Sequence, residues 1–241
     1  MIIFVEPRQN INHTLKTANG MAIERFEQLI RRDPARRGLI AREESLPPLC
    51  RGHLRQAAEH LAAHGRAVAI VTGFFVPSAD VPAAETDGPL GALVLADVLQ
   101  RLGIPAVLIT DRPCAAAVQV LADAVGPTAP ELHVCPLDAG EWVERFCQND
   151  AATSWSHLIA VERVGPSHTE TSILEQDQAG QSRAALLDRF RRLVPPESQD
   201  RCHNMRGQVI DDHTARLHRL FEQLPQRHPE VKTIGIGDGG N

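Results

Sequence analysis

Apolar positions along this chain fall into two alternating patterns. Short runs, Ala67 to Val71, Ile104 to Thr110, Glu131 to Cys135, His157 to Val161 and Val231 to Ile236, read as strands. The first, continuous in β-branched and small apolar residues, has the pattern of a strand buried on both faces. Between them lie segments with helical spacing. In Gly88 to Leu102 the stripe is Leu95, Val98, Leu99 and Leu102, with Thr86 or Asp87 placed to cap the first turn and Pro89 inside it, where a missing N–H costs nothing. Pro113 to Val125, Gly140 to Asn149 (on Trp142, Val143 and Phe146) and Asp211 to Leu224 are further predicted helices. Upstream, Asn12 to Arg32 and Cys50 to His64 have helical features. Asp33-Pro34, Gly38 and Pro47-Pro48 are the breaks, and Gly65 is a C-terminal glycine for the second helix.

Strands that alternate with helices build a parallel sheet covered on its faces. The expectation is one α/β domain over residues 1–241: an open, mostly parallel sheet flanked by helices, a Rossmann-like three-layer arrangement. Between Gly165 and Gln208 the pattern weakens into polar sequence with Pro195-Pro196. That stretch reads as an insertion or lid before the last strand.

Composition narrows the classes. Of 241 residues 43% are hydrophobic and 23% charged, which supports an ordinary core. The net charge of −5 argues against nucleic acid as a partner, since phosphate binding needs a concentrated basic face. The cluster Arg31, Arg32, Arg36, Arg37 is interrupted by Asp33 and Pro34 and reads as a solvated turn. The five cysteines form no Cys-x-x-Cys pair and are odd in number, the usage of a reducing compartment. No apolar segment approaches the ~20 residues that span a bilayer, and the first residues lack the features of a signal peptide. A cytoplasmic protein without membrane contact is expected.

Open parallel sheets bind ligands beyond the carboxyl ends of their strands. The predicted strand ends carry Thr72-Gly73, Asp111, Glu162-Arg163 and Gly237-Asp238-Gly239-Gly240-Asn241, and the loop Glu85 to Gly91 joins them. Each has a bland reading: Asp87 or Asp111 as a helix cap, the glycines as turn formers, Glu162-Arg163 as a surface pair. His213 and His218 are five apart, off the spacing that puts two imidazoles on one helical face, and no histidine is assigned a catalytic role. Taken together, carboxylates at one edge suit a divalent cation (magnesium or manganese) or an ammonium group. Helix N-termini and glycine amides accept a carboxylate. The pair fits a small amino-acid-like carboxylate. No Gly-x-Gly-x-x-Gly follows an early strand, so neither nicotinamide nor flavin is expected. A phosphatase of the haloacid-dehalogenase type needs an Asp-x-Asp nucleophile, which this sequence lacks.

Five segments in order, Val71-Thr-Gly-Phe74, Glu85-Thr-Asp-Gly-Pro-Leu-Gly91, Ile159-Ala-Val-Glu-Arg163, Asn204-Met-Arg-Gly207 and Gly235-Ile-Gly-Asp-Gly-Gly-Asn241, together resemble the C-terminal domain of D-glutamate cyclase over most of the chain. The resemblance implies conversion of D-glutamate to 5-oxo-D-proline and water. In two-domain members this region follows another domain with its own claim to that activity. A separate cyclase domain or a homo-oligomer is the expected partner, and a non-catalytic domain that binds a small acid or nucleotide and regulates a partner cyclase is the alternative. On the cyclase reading, Glu162 or Asp87 is the general base, and Arg163, or a metal held by Asp87 and Asp238, polarises the γ-carboxylate. Amides at Gly88 or Gly239-Gly240, or Arg206, fix the α-carboxylate. Thr72, Gly73, Glu85, Thr86, Asp111 and Asn241 complete the expected substrate contacts.

Overall fold

Five parallel strands carry the fold in the computed structural model, which describes residues 13–30, 51–149, 154–175 and 182–237. Chain contacts divide the molecule into two compact units, Met1–His64 and Gly65–Asn241. In the first, α1 (His13–Ile30) packs on α2 (His53–His64). Glu27 is buried between them and accepts a hydrogen bond from the Gly52 N–H at 2.7 Å, and Arg55 pairs with Glu24 at 2.9 Å. Gly65 does not take the left-handed conformation expected of a helix-ending glycine; Gly103 and Gly126 do so, after the two helices of the next layer. The Arg31 to Arg37 cluster, Pro47-Pro48 and Cys50 lie outside the described residues.

The second unit holds the sheet. Its strands are β1 (Val68–Thr72), β4 (Ala106–Asp111), β5 (Glu131–Cys135), β6 (His157–Val161) and β7 (Lys232–Ile236), in spatial order β5-β4-β1-β6-β7. Every residue of the central strand β1 is buried, as its unbroken apolar run requires. α3 (Asp87–Arg101) and α4 (Ala115–Val125) return the chain from β1 to β4 and from β4 to β5, and pack side by side on one face. The other face is closed by α5 (Gly140–Gln148) and α8 (His218–Arg227): Ala69, Val71, Ile109 and Leu158 from the sheet meet Val143 and Cys147 of α5 and Leu220 and Leu224 of α8. After β5 the chain crosses to the far side of β1 and continues as β6 and β7. The winding direction reverses between β1 and β6, and the carboxyl edge of an open sheet at such a reversal is where ligands bind. The expected open α/β three-layer architecture is therefore observed.

Three local features depart from the periodic reading. The loop after β1 contains a short antiparallel hairpin, β2 (Phe75–Val76) with β3 (Ala83–Ala84). The helix expected over Asp211 to Leu224 is broken. A 3-10 turn covers Asp211–His213, Thr214 is extended, and α8 starts only at His218, so His213 and His218 sit on different elements. The polar segment from Gly165 is ordered by α6 (Glu170–Leu174), α7 (Arg183–Leu193) and the 3-10 turn Pro196–Ser198. Cys202 of this segment joins Phe74, Val164 and Ile210 in a second small core near the end of β1. Cys114, Cys135, Cys147 and Cys202 are free and buried. No helix among the described residues is long and apolar enough to cross a membrane.

Candidate functional site

At the reversal point three predicted residues come together. Gly88, in the first turn of α3, faces the ends of β1 and β6 so closely that a Cβ there would lie 2.6 Å from Glu162 Cβ and 3.4 Å from Thr72 Oγ1. A side chain at position 88 would hold the helix off the strand ends, so glycine is required for the approach. Glu162, the first residue past β6, has φ 48, a left-handed backbone unusual for a residue with a side chain. Its N–H donates to Ile236 O at 2.9 Å, which continues the sheet one residue past β6. Thr72 is fully buried and its hydroxyl has no hydrogen-bond partner. Such an orphan costs about 1–3 kcal/mol unless something satisfies it. Non-glycine left-handed residues and unpaired buried polar groups concentrate at functional sites; here both fall within one small cluster.

The rim around the cluster is acidic. Asp87 and Glu85 are exposed and Glu162 is half-buried. Thr86 occupies the cap position of α3 but makes no side-chain capping bond; instead Asp87 Oδ1 accepts from the Gly88 N–H at 3.0 Å. Glu85 is pinned by its N–H to Phe74 O at 2.8 Å, so the acidic loop is fastened to the chain leaving β1.

Beneath the rim, Arg163 and Asp111 form a buried ion pair. Arg163 donates from Nη2 to Asp111 Oδ2 at 2.7 Å and to Ala215 O at 2.6 Å, and from Nη1 to Gly73 O at 2.9 Å. Asp111 Oδ2 also accepts from the Ala215 N–H at 3.0 Å, and Oδ1 from the Cys114 N–H at 3.3 Å. These bonds join the ends of β1, β4 and β6 to the segment before α8. They also explain the broken helix, because Thr214 is extended and Ala215 gives both its N–H and its carbonyl to the pair. Gly73 has φ +112, and a Cβ on it would lie 2.7 Å from both Cys114 Cβ and Thr110 Oγ1. The guanidinium and carboxylate thus face inward: Arg163, expected to polarise the γ-carboxylate, and Asp111 and Gly73, expected to contact substrate, are engaged with one another and with the Ala215 backbone.

Arg206 is exposed on a turn in which Asn204 Oδ1 accepts from the Arg206 and Gln208 N–H groups at 2.9 and 3.0 Å. Asp238, Gly239, Gly240 and Asn241 lie outside the described residues. One residue at the rim was missed from sequence. Cys114 packs against Gly73, and burial, reinforced by Asp111, pushes its thiol far above the ordinary range. It stays protonated and supplies no nucleophile. Its only signal was its place three residues after a strand end.

Among the described residues no group of three or more His, Cys, Asp or Glu converges as a metal would need. Of the two expected ligands Asp87 is described and exposed, and Asp238 lies outside the described residues.

The family described as "D-glutamate cyclase-like, C-terminal" matches residues 26–175 and 192–241. The chain is also 30% identical over 227 residues to the "D-glutamate cyclase, mitochondrial" of Homo sapiens, an alignment that takes in 91% of this chain and 31% of the human protein. The chain therefore spans about a third of that relative's length. With matching sequence running through β1, the α3 turn, β6 and β7, the chain belongs to the D-glutamate cyclase-like, C-terminal family.

Proposed function

We propose that the β1/β6 rim closes D-glutamate to 5-oxo-D-proline with release of water, a carbon–oxygen hydro-lyase reaction. The observation that carries this reading is the seating of Glu162 over Thr72 and Gly88 at the point where the sheet reverses. Amine and γ-carboxyl already share one molecule, so the site's first task is to hold the substrate folded with the nitrogen near the γ-carbon. Glu85, Asp87 and Glu162 receive the ammonium. The amide end of α3 receives the α-carboxylate. Glu162 takes a proton from the ammonium; the nitrogen attacks the γ-carbon, the new C–N bond forms and one C–O bond breaks. Overall two protons leave nitrogen and two arrive on the departing oxygen, which balances as water. Thr72, its hydroxyl otherwise unpartnered, donates to the γ-oxygen as charge builds there. Arg163 and Asp111 are positioning residues that hold the strand ends in register. No step is routed through a metal.

The test is direct: the purified chain is incubated with D-glutamate, and separately with 5-oxo-D-proline, and both compounds are resolved by chiral chromatography. Glu162→Gln should lower kcat by ~100-fold or more, the usual scale of a general base. Full activity in that variant removes Glu162 from the chemistry. A second reading rests on the chain spanning about a third of the human relative: the domain binds a small acid and regulates a separate cyclase domain. D-Glutamate binding by calorimetry without turnover in either direction would select it.

A further inference from the structure

Four large apolar side chains remain exposed along one ridge of α3 and its C-cap: Leu90 at 51%, Val94 at 56%, Val98 at 46% and Leu102 at 52%. They recur every fourth residue, so they form one continuous ridge about 18 Å long. Single exposed apolar residues are ordinary, but a contiguous row is not. We infer that this ridge is the two-fold interface through which two copies of the chain associate, with α3 antiparallel to its counterpart.

Two observations select a second copy over another occupant. The ridge reads Leu-Val-Val-Leu, the same in both directions. A two-fold contact must be complementary to itself, and antiparallel pairing about the midpoint sets each Leu90 on the other copy's Leu102 and each Val94 on its Val98. An unrelated partner imposes no such palindrome. The helix dipoles follow the same symmetry: antiparallel pairing sets the positive end of one α3 beside the negative end of the other, whereas parallel pairing would align like ends. Arg101 is held by Asp97 of its own helix at 2.7 Å, so that flank of the ridge carries a neutralised pair. A stable dimer buries roughly 800 Å² per partner, more than one helix ridge supplies. The neighbouring α4 lies in the same layer and exposes Val120 at 67% and Val125 at 38%, which extends the apolar area.

The experiment is sedimentation of the full chain at micromolar to tens of micromolar concentration. The expected species has twice the 26.4 kDa chain mass. Val94→Glu/Val98→Glu should sediment as monomer with an unchanged circular dichroism spectrum. Orientation is read by cysteine cross-linking. An equimolar mixture of Val94→Cys and Val98→Cys chains, mildly oxidised, should give several-fold more covalent dimer than either variant alone. A monomeric wild type, a dimer that survives both glutamates, or cross-linking no better in the mixture than in the single variants would each overturn the assignment.

Discussion

A buried hydroxyl without a partner is the sharpest single-residue feature of the molecule. Thr72 ends the central strand with its Oγ1 unsatisfied, although its neighbour Thr110 spends its own hydroxyl on Thr72 O at 2.9 Å. If the fold alone set position 72, valine would serve better, because the replacement is nearly the same shape and removes the desolvation cost. Thr72→Val is therefore expected to leave the melting temperature unchanged or raise it, by up to about 1 kcal/mol in stability, and to lower kcat for D-glutamate by about tenfold or more. Thermal unfolding and steady-state kinetics on the same preparation check both halves. A variant that loses stability and keeps its rate would make Thr72 a packing residue. Glu162 contrasts with it: its left-handed backbone costs about 1–2 kcal/mol, a cost that the fold could avoid with glycine, and the carboxylate is what glycine would forfeit.

At the scale of elements, the Arg163–Asp111 pair joins what the sheet alone would leave apart. Its hydrogen bonds reach Gly73 after β1, Ala215 before α8 and Cys114 before α4. A buried charge pair contributes little net stability when intact, but loss of one partner strands the other in the interior. Asp111→Asn is thus expected to cost about 3–5 kcal/mol, read as a drop in urea midpoint, while Asp111→Asn/Arg163→Met recovers part of the loss because no unpaired guanidinium remains. A double variant as unstable as the sum of the singles would refute the coupling. The same network marks the limit of reading this sequence. β5 and β6 were legible to the residue: β6 because a buried strand shows as a near-continuous apolar run, and β5, only partly buried at the sheet edge, by its place between two helical segments. Thr72, Gly88 and Glu162 were legible because they stand at strand ends or at a helix start. The break at Thr214-Ala215 was not, because helical periodicity continues through it and is overruled by hydrogen bonds to residues far away in the chain. Nor could periodicity show that Arg163 turns inward, or reveal a hairpin whose strands are two residues each.

For the molecule as a whole, the approach of acid is set by His218, which begins α8 close to the ion-pair layer. Burial lowers its pKa to about 4, and the nearby Arg216, Arg219 and Arg163 push the same way, while Asp200 opposes them. The native protein thus holds a neutral imidazole that the unfolded chain would protonate near its ordinary 6.5. Above that pH the group adds no pH dependence. As pH falls from 6.5 toward 4 the unfolded state binds a proton that the folded state refuses, and stability drops; below 4 both states are protonated and the loss levels off. A second, lower slope belongs to Asp211. Burial alone would raise its pKa, but the Cys202 N–H, Arg201 and Arg216 outweigh it and hold the carboxyl below its usual 3.8, so its contribution fades only as pH falls through still lower values. Urea midpoints measured from pH 7 to pH 4 are expected to decline steadily, and His218→Gln is expected to flatten that decline; an equally steep decline in the variant would place the acid sensitivity elsewhere. Activity followed over the same range then separates two causes. A rate that falls together with the folded fraction, and recovers in His218→Gln, reports the imidazole under α8. A rate that falls while the fold holds, and does so equally in His218→Gln, places the acid sensitivity of catalysis outside this imidazole.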